Sequence, residues 1–316
     1  MKAPPRSTRA VVLGFLLALL LAAPAHAATE AAARAGPSAW WVCPLVLFAV
    51  CFVIGVLGPL SGVGGGVLFV PIVSGFFPIH LDFVRGTGLF VALCSSLAAG
   101  PGLLRANLAS LRLAIPVALI ASTCAVAGAM VGLALPTHIV QICLGAMILG
   151  ICVVMLAARR SEVPIVPHAD ALSSALGICG LYRETSSGRV VDWKTHRTPL
   201  GLCLFVFIGV MAGMFGMGAG WANVPVLNLV MGVPVKISVG TSLLLLSVTD
   251  TSAAWIYMNN GCVIPLMLVP SVVGIMLGSL VGVRILKVAK PAFVRWAVIG
   301  VLAFAGLRAI SKGFGF

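Results

Sequence analysis

Charge is what this chain has least of. Only 9% of its 316 residues are Asp, Glu, Lys or Arg, and the acidic ones number 7. A soluble domain carries about a quarter charged residues, so this composition cannot cover a water-facing globule. Short segments of alternating polarity, the mark of a transmembrane β-barrel, are also missing. No CxxC pair or Cys/His spacing points to a metal. No phosphate-binding loop implies ATP, and no catalytic constellation stands out. The expectation is therefore a protein without metal or cofactor, not an enzyme, and with no affinity for nucleic acid.

What is present is apolar sequence. Hydrophobic residues make up 61% of the chain, in runs long enough to cross a hydrocarbon core of about 30 Å. This indicates an all-α polytopic membrane protein whose first partner is the lipid bilayer. The apolar segments fall at 41–61, 66–78, 86–104, 113–135 and 138–157, then at 200–216, 220–232, 238–258, 262–283 and 292–310. The polar stretch Arg159–Pro199 separates the two groups. Ahead of them, Lys2, Arg6 and Arg9 precede an apolar run from Val11 to Ala23 and an Ala25-His26-Ala27 cleavage signature. Residues 1–27 read as a signal peptide, with an uncleaved first helix as the alternative. The layout is then a signal peptide at 1–27, a first membrane repeat at 40–158, a polar loop at 159–199 and a second repeat at 200–312. Eight of the nine cysteines lie in or beside apolar segments, where cysteine acts as a small hydrophobe.

One stretch conflicts with the helical pattern. SGVGGGVLFVP, residues 61–71, packs four glycines into five positions and closes with a proline. In a helix interior each glycine costs about 1 kcal/mol relative to alanine, and a proline about 3 kcal/mol. The stretch recurs 154 residues later as FGMGAGWANVP, with Pro71 in register with Pro225. Gly86-Thr87 likewise corresponds to Gly240-Thr241, without a gap. Paired Gly/Pro-interrupted segments in two halves point to the binding site of a secondary transporter. Each half has four crossings if the broken segment crosses once, and the halves then run parallel. If the glycines separate two helices, each half has five crossings and the repeat is inverted. The five-crossing count collects Arg105, Arg112, Lys236, Arg284, Lys287, Lys290 and Arg295 on the cytoplasmic side with the central loop. The positive-inside rule therefore favours an inverted repeat in the bacterial inner membrane.

GVGGGVLFVP, its partner GMGAGWANVP and the downstream VGTSLL resemble the duplicated signature of the sulfite exporter TauE/SafE family of membrane permeases. The resemblance implies export or uptake of small sulfur-containing or organic anions. The first half departs from the pattern, with Arg85-Gly86-Thr87-Gly88 where the second has Val239-Gly240-Thr241-Ser242.

A helix broken at mid-membrane exposes backbone N–H groups that protein, water or ligand must satisfy. Glycine allows a ligand close approach to that backbone, and the following helix turns its positive N-terminus to the same place. The candidate substrate-binding residues are Gly62, Gly64, Gly65 and Gly66 at the first break and Gly216, Gly218 and Gly220 at the second. Thr87, Ser95, Thr241, Ser242 and Asn223 add hydrogen-bonding groups, as do Ser96 and Thr249. For the glycines the plainer reading is tight helix packing, and for the hydroxyls back-bonding to a preceding carbonyl. Asp250 is the one acidic residue well inside an apolar segment and is the candidate for proton coupling; pairing near the membrane edge is the alternative. Arg85 and Lys236 are expected in loops, where they draw anions to the mouths or act as interfacial anchors. The expected function is a secondary transporter of small anions working by alternating access. A passive anion channel and a sulfur-transfer protein using Cys94 or Cys262 are the alternatives.

Overall fold

A computed structural model describes residues 41–61, 64–77, 79–105, 108–157, 170–183, 190–285 and 291–314. The signal peptide expected at 1–27 lies outside the described residues, as does Gly62.

The first half contains five helices: α1 (Val42–Ser61), α2 (Gly66–Phe76), α3 (Leu81–Arg105), α4 (Leu111–Ala134) and α5 (Thr137–Ala157). After a small loop module come α7 (Thr198–Phe215), α8 (Gly220–Pro225), α9 (Val235–Asn259), α10 (Pro265–Ile285) and α11 (Pro291–Gly313). Among the described residues, α3, α4, α5, α7, α9 and α10 are long and apolar enough to cross a membrane, while α1 and α2 offer shorter apolar stretches. The protein is an all-α polytopic membrane protein, with five helices in each half among the described residues.

The repeat reaches further than the glycine motif. Helices α2, α3, α4 and α5 begin at 66, 81, 111 and 137, and their counterparts at 220, 235, 265 and 291, each 154 residues on. Pro116 in α4 and Pro270 in α10 occupy matching places in the second turn. The halves differ after the second break. There Pro225 ends α8, and the chain continues through a π-helical turn, Val226–Val230, which its first-half counterpart lacks. Proline removes one backbone donor and crowds the preceding turn, and a π turn is one way to absorb that. Asn228 donates to the Val233 carbonyl at 2.9 Å, which closes the segment.

The halves interlock rather than sit side by side. Helix α1 packs along α10 of the other half, and α4 packs along α7. Both contacts run through glycine. A Cβ on Gly55 would lie 2.6 Å from the Ile275 carbonyl, and one on Gly132 would lie 2.8 Å from that of Met214. Lipid gives helices no hydrophobic reason to associate, so close backbone approach at small residues supplies the dispersion energy instead. Equivalent helices meet in antiparallel pairs. Gly86, near the start of α3, abuts Cys262 beyond the end of α9, while Gly240, near the start of α9, abuts Leu108 beyond the end of α3. In the same way Gly145 of α5 meets Ile310 of α11, and Gly313 meets Ile142.

The polar inter-repeat segment holds α6 (Ala171–Ala175) and a two-stranded antiparallel hairpin, β1 (Cys179–Arg183) with β2 (Val190–Lys194). Asp170 caps α6 by accepting from the Ser173 amide. The same carboxylate accepts from the Thr198 amide and hydroxyl, both at 2.9 Å. This ties the module to the first turn of α7.

Candidate functional site

The two glycine breaks lie in the buried centre of the molecule, each against the long third helix of the other half. Gly64 (φ +85°) and Gly218 (φ +75°) are counterparts in the repeat and share the left-handed conformation that glycine adopts without a Cβ penalty. A Cβ on Gly64 would meet the Leu246 side chain of α9 at 3.3 Å, and one on Gly218 would meet Ala92 of α3 at 3.1 Å. Leu246 and Ala92 are themselves counterparts. The breaks also touch each other: Gly66 backs onto the Met217 carbonyl, and Gly88 onto the carbonyl of Gly216. The glycines permit close packing, and they leave the backbone bent where the two halves cross.

Asp250 lies at the second break. Its side chain is fully buried, and a Cβ on Gly218 would come within 2.8 Å of its Oδ2. Neither carboxylate oxygen has a hydrogen-bond partner. This departs from an edge residue paired with a neighbouring helix. Thr249 Oγ1 on α9, both side-chain polar atoms of Asn223 and the Trp221 indole N–H on α8 are also buried without partners, as is Thr87 Oγ1 on α3. Buried polar atoms are almost always satisfied by protein or ordered water, and leaving one unpaired costs about 1–3 kcal/mol. The second break and its neighbours in α8 and α9 thus carry several polar atoms that no other protein group satisfies.

Three other hydroxyls are occupied. Thr241 Oγ1 accepts from the Ser110 amide at 3.1 Å, and so fastens α9 to the turn before α4. The Ser95 and Ser279 hydroxyls pair at 3.3 Å, and Ser96 donates back to the Leu93 carbonyl at 2.7 Å. Ser242 is buried, as are Gly65, Gly66 and Gly220.

Arg85 departs from its expected place. It lies inside α3 with 1% of its surface exposed, not in a loop. Its Nη1 donates to the carbonyls of Gly132 at 3.1 Å and Met214 at 2.9 Å, and its Nη2 pairs with Asp82. The guanidinium carbon stands 5.7 Å from the centre of the Tyr257 ring, within cation–π range. Arg85 therefore neutralises the carbonyl ends of α4 and α7. Lys236 is in the first turn of α9 and exposed. At the far end of the chain Lys312 donates to the Ser74 carbonyl at 2.7 Å and caps α2 in the same manner.

Two features escaped sequence reasoning. Trp221 stands within the quoted motif, but its ring suggested packing rather than an indole N–H left over. Superposing the repeats would have drawn attention to it, because Trp221 and Asn223 replace Val67 and Phe69. A cleft of about 210 Å³ between α3 and α9, lined by Ser96, Gly100, Gly240 and Ser247 among others, has no signature in the sequence.

The family model described as Sulfite exporter TauE/SafE matches residues 47–309. A curated relative from Methanocaldococcus jannaschii, named as a probable membrane transporter protein, is 26% identical over 278 residues, covering 83% of this chain and 93% of the relative. No solved structure matches the chain.

Proposed function

This chain belongs to the sulfite exporter TauE/SafE family of membrane transporters, and from that premise we propose that it moves small anions, sulfite or organosulfonates, across the bacterial inner membrane by alternating access. The observation that carries this reading is the group of buried, unpartnered polar atoms at the second break. Trp221 and Asn223 can donate to the oxygens of an anion, and so can the hydroxyls of Thr87 and Thr249. Glycine removes the Cβ that would keep a ligand from the backbone. The first break contributes the N-terminus of α2, an 11-residue helix whose dipole favours negative charge.

In this reading the halves form an inverted repeat, supported by the antiparallel meeting of equivalent helices. An inverted pair rocking about a central site alternates access between the two faces. Asp250 is the coupling group. A bare carboxylate beside an anion is repelled, so a proton taken up at Asp250 accompanies the substrate. No charged side chain is paired with Asp250 among the described residues.

The test is uptake of labelled sulfite, thiosulfate, sulfate and sulfonates into proteoliposomes, with and without an imposed proton gradient. The expected outcome is saturable flux of one of these classes, driven by the gradient and losing its pH dependence in Asp250→Asn. Flux that ignores the gradient and keeps its pH dependence in that variant removes proton coupling. No flux of any of them removes the substrate class.

A further inference from the structure

The repeat reproduces helix packing contact for contact. A Cβ on Gly55 of α1 would meet the Ile275 carbonyl of α10 at 2.6 Å. One on its counterpart Gly209 of α7 would meet the carbonyl of Ala121 on α4, the counterpart of Ile275, at 2.5 Å. Likewise Gly282 of α10 abuts Val56 of α1, and Gly128 of α4 abuts Val210 of α7. Residues 154 positions apart therefore face neighbours that are themselves counterparts, and a polar contact made in one half has a defined equivalent in the other.

One such contact lacks its partner. Ser95 of α3 and Ser279 of α10, both buried, pair their hydroxyls at 3.3 Å. The equivalent positions are Thr249 of α9 and Ala125 of α4, 1% and 0% exposed. Helix α9 packs along α4 as α3 packs along α10, and Ala125 belongs to a small apolar cluster with Ala253 and Ala254 of α9. Ala125 brings a methyl where Ser279 brings a hydroxyl, and Thr249 Oγ1 has no partner. Nor is that hydroxyl used up along its own helix. Ser247, Thr251 and Ser252 of α9 each donate to a carbonyl three or four residues back, the common resort of a hydroxyl in a membrane helix. Thr249 does not. Its place is the level of the breaks: a Cβ on Gly65 at the first would lie 3.5 Å from the Ser95 Cβ, and Asp250, next to Thr249 in the chain, reaches Gly218 at the second.

We infer that Thr249 is a specificity-determining residue whose hydroxyl is committed to the transported anion, and that Ala125 is the position that keeps it free. The inference rests on the transport reading. A buried hydroxyl without a partner lowers stability, and binding sites are where a fold carries such costs. A serine at position 125 would rebuild in the second half the pair that Ser95 and Ser279 make in the first. The hydroxyl would then be occupied before substrate arrives, so one substitution strengthens the fold and weakens binding. A purely structural role moves both in the same direction.

The experiment compares Ala125→Ser, Thr249→Val, Thr249→Ser and the double variant Ala125→Ser with Thr249→Val, all in the full chain. The readouts are thermal unfolding in detergent and initial rates of labelled sulfite and methanesulfonate uptake into proteoliposomes. Ala125→Ser should raise the melting temperature by about 1–2 °C and raise KM about three- to tenfold with kcat little changed. Thr249→Val, which keeps the branched shape and removes the hydroxyl, should raise KM by a similar factor, and Thr249→Ser should bring it back. The double variant should be no worse than Thr249→Val, since the hydroxyl is then already gone. An unchanged KM in Thr249→Val overturns the inference, and decides the case even if Ala125→Ser does not fold. A stabilised Ala125→Ser that keeps its KM also overturns it. So does a further loss in the double variant, because the serine then acts through packing. If the unaltered chain moves neither anion, the transport reading fails by itself, and the rise in melting temperature on adding either anion becomes the readout. An equal rise in Thr249→Val, or none in the unaltered chain, then overturns the assignment of Thr249.

Discussion

Among the described residues, the first glycine break is lined by apolar side chains, while the second carries polar atoms without partners. Where the second has Trp221 and Asn223, the first has Val67 and Phe69, both fully buried. Where the second has Asp250 and Thr249 without partners, the first has Ser96 bonded to a carbonyl and Ser95 bonded to Ser279. Both keep the left-handed glycine that the bend requires. The duplication thus preserved the backbone geometry twice and the polar chemistry once. The scaffold is thus repeated in its bends and asymmetric in its lining.

That comparison can be broken most directly at the bend. A left-handed conformation costs a non-glycine residue about 1–2 kcal/mol, which applies to Gly64→Ala and Gly218→Ala alike. Only at Gly218 does the new methyl also meet a carboxylate oxygen, at 2.8 Å. Initial transport rates, corrected for protein reconstituted, should fall about tenfold in Gly64→Ala and about a hundredfold in Gly218→Ala, each tenfold step corresponding to about 1.4 kcal/mol. Equal losses would mean that the breaks are equivalent after all.

Exchanging the acid sharpens the same point. Asp250→Ser should lower transport about tenfold, the upper end of the roughly 0.5–1.5 kcal/mol that a hydrogen bond from the protonated carboxyl to the substrate is worth. Moving the carboxylate to the first break, as Ser96→Asp with Asp250→Ser, should not restore it. Recovery in that double variant would show that only the presence of an acid matters, not which break holds it.

Smaller effects are expected at single donors. Trp221→Phe keeps the ring and removes one N–H, so KM should rise roughly two- to tenfold, from a hydrogen bond worth about 0.5–1.5 kcal/mol. Ser95→Ala removes a bond between two hydroxyls that already satisfy each other. Interhelical hydrogen bonds of this kind average about 0.6 kcal/mol, so transport should stay within about twofold and thermal stability should drop slightly. A larger transport loss in Ser95→Ala than in Trp221→Phe would reverse the assignment of the two breaks.

Much of the fold was legible because lipid imposes a simple rule on sequence: every spanning segment must be apolar and helical. The segments expected at 66–78, 138–157 and 292–310 lie within a few residues of α2, α5 and α11. The π turn after Pro225 was not legible, since Pro71 occupies the same place in α2 without one. Arg85 misled for a physical reason. A lone arginine near the end of an apolar run reads as an interfacial anchor, and only two helix C-termini arriving from distant parts of the chain convert it into a buried cap.

The sequence alone determined the membrane class, the repeat with its 154-residue offset and the two bends, because hydropathy, glycine and proline act locally. Tertiary structure decided which hydroxyls are used up in packing, where Asp250 and Trp221 are left unpaired, and that Arg85 caps the carbonyl ends of α4 and α7. Those outcomes depend on partners more than a hundred residues away, such as Met214 for Arg85 and Ser279 for Ser95. A side chain's own identity says what it can bond, and only the packed fold says whether anything is there to bond with.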